Sequence, residues 1–135
     1  MNAQRAAQLY AFRLPADDAI VIGSARIHLA DVATRCGATV ETRQVPELGP
    51  VYGFALRLPS GRIVVVEESE YETQEFRSEG PYISVSMELV RLGLVDAVFG
   101  ETVQALQLNE SEIGLTPHIH GVAEQVKWRD QQKRK

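Results

Sequence analysis

The chain predicts an α+β fold, a small antiparallel sheet built on a central β-hairpin and packed against several helices. Three observations carry that expectation. Residues 51–68, VYGFALRLPSGRIVVVEE, read as two β-rich runs around Pro59-Ser60-Gly61, with alternation in the first arm and a solid apolar run, Ile63-Val64-Val65-Val66, in the second. Leu29, Val32, Ala33 and Cys36 recur at the i, i+3, i+4, i+7 spacing of one buried helical stripe. Finally, 135 residues that are 44% apolar can bury a core of their own. The expected organisation is a single α+β domain over residues 1–126 with a basic tail, 127–135.

Taken in order, Asn2 to Phe12 reads as a short helix closed by Pro15 and the Asp17-Asp18 pair. Ala19 to Ile22 reads as a brief strand. Ser24 is a suitable N-cap for a helix running to Cys36, and Gly37 is a natural stop. Ala38 to Val45 alternates like a strand, and Pro46 and Gly49-Pro50 lead into the hairpin. Beyond the hairpin, residues 67–79 hold six glutamates against Arg77 alone, and Gly80-Pro81 breaks the chain again. In Tyr82 to Leu92 two periods compete. Ile83, Val85, Met87 and Leu89 alternate as in a strand, while Ile83, Met87, Val90 and Leu94 keep helical spacing. Because Val95, Val98, Phe99, Val103 and Leu106 continue the helical period, helix is the expectation here, with Gly93 and Gly100 as points where it splits. Asn109 or Ser111 caps a short turn, Thr116-Pro117 interrupts, and Gly121 onward reads as a terminal helix.

Composition bounds the function. The net charge of −4 is unevenly spread: the tail from Lys127 holds five basic residues and Asp130, which leaves 9 basic against 17 acidic residues, or −8, for residues 1–126. An acidic body argues against a broad phosphate-binding surface, so nucleic acid is not the expected partner. Leu29 to Gly37 looks like the first half of a helix-turn-helix, but the β-rich, proline-stopped stretch Ala38 to Pro46 stands where a recognition helix belongs. No window approaches the ~18 apolar residues of a membrane span, and the first twenty residues lack the apolar block of a signal peptide. A lone cysteine fits a reducing compartment, so a cytoplasmic location is expected.

Catalytic signatures are sparse. The glycines do not form a phosphate loop, and there is no G-x-S-x-G, C-x-x-C or H-E-x-x-H. His118 and His120 are the best metal candidates, because two histidines at i and i+2 on an extended segment point the same way. A site there needs a further ligand, with Glu112 and Glu124 nearest in sequence, and surface histidines in a proline-flanked loop are the competing reading. His28 and Cys36 read as structural residues of the first helix, Cys36 lacking the electropositive surroundings that activate a thiol. No cofactor is expected.

The acidic run stands out. If the second hairpin arm stays extended beyond Val66, Glu68, Glu70 and Glu72 share one face at period two. Such a face either protects a sheet edge from aggregation or steers a basic partner. Glu68, Glu70, Glu72 and Glu75 are the expected partner-binding residues.

One order of elements is familiar. The Leu29-Ala30 to Gly37 helix, a strand, and a hairpin that leaves as Tyr52-Gly53-x-x-x-Arg57 and returns as Gly61-Arg62-Ile63-Val64-Val65-Val66 resemble the ImmA/IrrE family of small zincin-like regulators, over roughly residues 24–106. In that family the hairpin leads through a charged stretch, often with a Phe (here Phe76), into a helix carrying His-Glu-x-x-His. The matching segment is Met87-Glu88-Leu89-Val90-Arg91, in which only Glu88, at the general-base position, agrees. A thioether and a guanidinium do not replace two imidazoles on zinc, and Glu101, the candidate for the family's acidic ligand, follows at too short a spacing. The resemblance therefore implies a metal-free relative whose role is binding. The expected function is a small bacterial protein-binding module, either a regulator or an immunity- or antitoxin-type neutraliser with a basic protein partner. A divergent zincin-like hydrolase and a self-assembling, homodimeric or ligand-binding domain are the alternatives.

Overall fold

The computed structural model describes residues 8–10, 19–45, 49–69, 80–117 and 122–133. Its centre is the anticipated hairpin. Strand β4 (Gly49–Arg57) pairs antiparallel with β5 (Ile63–Ser69), Phe54 opposite Val66 and Leu56 opposite Val64. The turn closes through Leu58 N–H to Arg62 C=O at 2.7 Å and Gly61 N–H to Leu58 C=O at 2.8 Å.

Among the described residues four further strands join the hairpin in a six-stranded sheet. On the β5 side come β6 (Tyr82–Ser86) and then β2 (Ala19–Ser24). The other side of β4 is shared end to end by β1 (Gln8–Tyr10), which lies along residues 55–57, and β3 (Glu41–Val45), which lies along residues 49–53. All pairings are antiparallel.

Period-two alternation sorts the strands into two faces. One face presents Ile20, Ile22, Phe54, Leu56, Val64, Val66, Ile83 and Val85, all buried in one cluster. Helix α1 (Leu29–Cys36) packs its Leu29, Val32, Ala33 and Cys36 stripe into that cluster, and Val98 enters it from α3 (Val95–Ala105). On the opposite face Val51, Ala55 and Val65 form a separate buried cluster, with buried Ser69 and Ser84 opposite Val51 and Val65. The short α2 (Met87–Arg91) follows β6 directly, and α4 (Val122–Lys133) lies against β2, with Val122 and Val126 touching the main cluster. No helix among the described residues is long and apolar enough to cross a membrane.

Several expectations are corrected. The helix expected over residues 2–12 is not present at Gln8–Tyr10, which is extended and paired with Ala55–Arg57. The open side of β4 offers ladder hydrogen bonds that outweigh a modest helix propensity. Helix α1 begins at Leu29 with exposed His28 at its N-cap, while Ser24 ends β2. Ser24 is drawn into the sheet, where its hydroxyl accepts from Leu115 N–H at 2.8 Å. The far end of α1 matches its sequence: Gly37 adopts φ 72° and donates back to Thr34 C=O, a left-handed cap that suits glycine. The third strand starts at Glu41 rather than Ala38. Tyr82–Ser86 is strand and only Met87–Arg91 is helix, so each of the two competing periods describes half of the segment. Gly93 ends that turn, and Gly100 lies inside an unbroken α3.

Candidate functional site

The acidic run leaves the sheet at the end of β5. Strand β5 stays extended past Val66 to Ser69, so consecutive glutamates fall on opposite faces. Glu68 is half-buried opposite Tyr52, on the face of the main core. Glu67 is opposite Gly53 on the other face, where it accepts a hydrogen bond from Arg43 of β3 at 3.0 Å. Glu70, Glu72 and Glu75 lie outside the described residues, as do His118 and His120, and nothing is described of the Glu124 side chain.

The connection between β5 and β6 starts and finishes on fixed points. At its start, Ser69 is buried beside Val51. At its finish, Gly80 has φ 72° and sits so close to β2 that a Cβ there would collide with the Ala25 carbonyl. Next to it the Pro81 carbonyl accepts from Ala25 N–H at 3.0 Å.

The positions that the zincin resemblance singles out do other work. Met87 is buried in the main cluster and Glu88 is exposed. Arg91 donates to Asp130 of α4 at 2.6 Å, joining two helices at the surface. With 52% and 37% of the two side chains exposed, that pair contributes about 0–1 kcal/mol. Glu101 on α3 accepts from Ser60 N–H at 3.0 Å and lies 3.7 Å from Arg62, which ties the hairpin tip to the helix. Among the described residues no group of three or more His, Cys, Asp or Glu is placed to hold a metal ion. Burial pushes the Cys36 thiol up, consistent with a small core residue.

Glu112, considered above as a metal ligand, is committed to Arg35. The guanidinium of Arg35, on the last turn of α1, makes a two-pronged contact to both carboxylate oxygens at 2.7 and 2.6 Å. The same carboxylate accepts from Asn109 N–H at 3.0 Å in a capping box around the 3₁₀ turn Glu110–Glu112. The hydrogen bonds from Arg35 and then from Asn109 hold the Glu112 carboxyl down to about 2, and the bond to Glu112 pushes Arg35 up. Gln107 reinforces the joint, donating to Arg35 C=O at 2.9 Å while its own carbonyl accepts from Arg35 at 3.0 Å. This arrangement ties α1 to the 109–115 segment. The sequence offered Asn109 or Ser111 as the cap of a short turn; of these Asn109 is the cap, and neither its pairing with Glu112 nor the Arg35 partner was anticipated.

No family model matches the chain, and no match is found among curated proteins or solved structures.

Proposed function

We propose that this chain is a non-catalytic protein-binding module that captures a basic protein through its acidic β5–β6 connection. It would act in the cytoplasm as a small regulator or as an immunity- or antitoxin-type neutraliser. The observation that supports this reading is the placement of the charge. Residues 70–79 carry four glutamates and one arginine between two anchored points, buried Ser69 and Gly80 packed on Ala25. Binding residues concentrate on connections held by a rigid scaffold, and a concentrated negative charge speeds encounter with a positive surface and selects against acidic partners. The companion observation concerns the zincin-like positions: core packing occupies Met87 and an ion pair occupies Arg91.

The test is capture from native lysate with wild type and with a variant carrying Glu70→Lys, Glu72→Lys and Glu75→Lys, at low and at raised salt. These three positions spare Glu68, which is packed into the sheet. The expected result is a basic protein retained by wild type at low salt, released as salt rises and absent with the variant. Equal capture by the two proteins, or capture indifferent to salt, overturns the reading.

A further inference from the structure

Among the described residues β3 pairs with β4 alone, so its outer side is a sheet edge. Glu41, Thr42 and Gln44 along that edge are exposed. Natural edges are commonly protected by covering them, by keeping them short or by lining them with charged side chains, and like charges directly opposite each other repel a second copy. Among the described residues no segment covers β3, and its charges are mixed in sign: Glu41 and Arg43 share a face, opposite Gly53 and Val51.

We propose that a second copy of this chain pairs with the outer edge of β3, antiparallel about Thr42. In that register Thr42 faces Thr42 across a two-fold axis, and each Glu41 stands opposite Arg43 of the second copy, so the edge is complementary to itself. Shifting the centre to Arg43 places two guanidiniums opposite each other, and shifting it to Gln44 leaves both charges without an opposite partner. The charge pattern therefore selects one register. Arg43 keeps its contact to Glu67 on the inner side at 3.0 Å, so Glu41 of the second copy adds an attraction between strands and does not replace that ion pair. An interface of five residues per copy is small beside a standard stable one, so the association is weak and sensitive to concentration and salt.

Sedimentation of the full chain over a range of concentrations tests this, with two variants. Glu41→Arg makes the edge all positive. Arg43→Glu combined with Glu67→Arg makes it all negative while restoring the inner ion pair with reversed sign. The expected result is a wild-type monomer–dimer equilibrium, weakened about tenfold in each variant alone and recovered when the two are mixed, because their edges then complement each other. A wild type that stays monomeric throughout overturns the proposal, and so does a dimer that Glu41→Arg leaves unchanged. An edge that instead takes an extended segment of another protein gives the first of these results. None of the substituted residues lies in the 70–79 connection, so failure here is separate from failure of the capture test.

Discussion

The two edges of the sheet are finished in different ways. The β2 edge is sealed by side chains and loop. Gln125 of α4 makes a reciprocal pair with Val21, accepting from its N–H at 3.0 Å and donating to its C=O at 2.8 Å, as a neighbouring strand would. Further along, Ser24 N–H donates to Leu115 C=O at 3.1 Å, Gly114 N–H donates to Ser24 C=O at 2.9 Å, and Ala25 bridges Ile113. The β3 edge has no such cover among the described residues and presents alternating side chains to solvent. An edge satisfied by segments from 88 or more positions away is part of the fold's stability. An exposed edge is available for association.

The largest expected effect is at the end of the sealed edge. Gly80→Ala places a methyl group against the Ala25 carbonyl at a left-handed backbone position, so it combines strain with a collision. Urea denaturation should show a loss of about 2–5 kcal/mol. A loss below about 1 kcal/mol would mean that the Gly80–Ala25 contact is easily relieved and does not anchor the connection.

Gln125→Ala comes next. It strips the Val21 N–H and C=O of their partner and should cost about 1–3 kcal/mol. Because it also exposes a strand edge, it should add concentration-dependent association, read by light scattering. A variant as stable and as dispersed as wild type would show that Gln125 does not seal the edge.

The third prediction concerns the joint that carries the sealing segment. The folded Glu112 carboxyl lies at about 2, below its ordinary value of 4.5, so its contribution is fully present above about 4.5 and is lost as pH falls toward 2. Glu112→Gln should therefore melt below wild type at neutral pH, and the gap should close steadily on acidification through that window. A gap that stays constant with pH would assign the effect to shape rather than charge.

The smallest effect is expected on the open edge. Glu41→Arg should leave thermal stability within about 0.5 kcal/mol, since the residue is exposed, and alter only self-association. A large loss of stability would mean that the two edges are less different than they look.

Legibility in the sequence followed the range of the interactions. The hairpin was readable because its turn residues and its apolar alternation are local and agree with one another. The α1 stripe was readable because all four of its residues face one side of a single helix, and they are buried as expected. Residues 82–91 were ambiguous for a physical reason. The chain changes period at Ser86, and a window that straddles the change fits both templates in part. Glu68 could be placed on an extension of β5, but Glu67 was the residue that found Arg43. That pairing depends on β3 lying across β4, which no local pattern in β5 encodes.

By itself the sequence determined the composition of the core, the hairpin, the limits of α1 on its glycine side and the concentration of negative charge between β5 and β6. These depend on side-chain character and short-range geometry. Only the tertiary structure decided which strands share β4, which edge is sealed, and that Met87, Arg91, Glu101 and Glu112 serve packing and ion pairs. The physical reason is that an unpaired N–H, C=O or charge takes its partner from whatever the folded chain brings within about 3 Å, and sequence spacing does not set that distance.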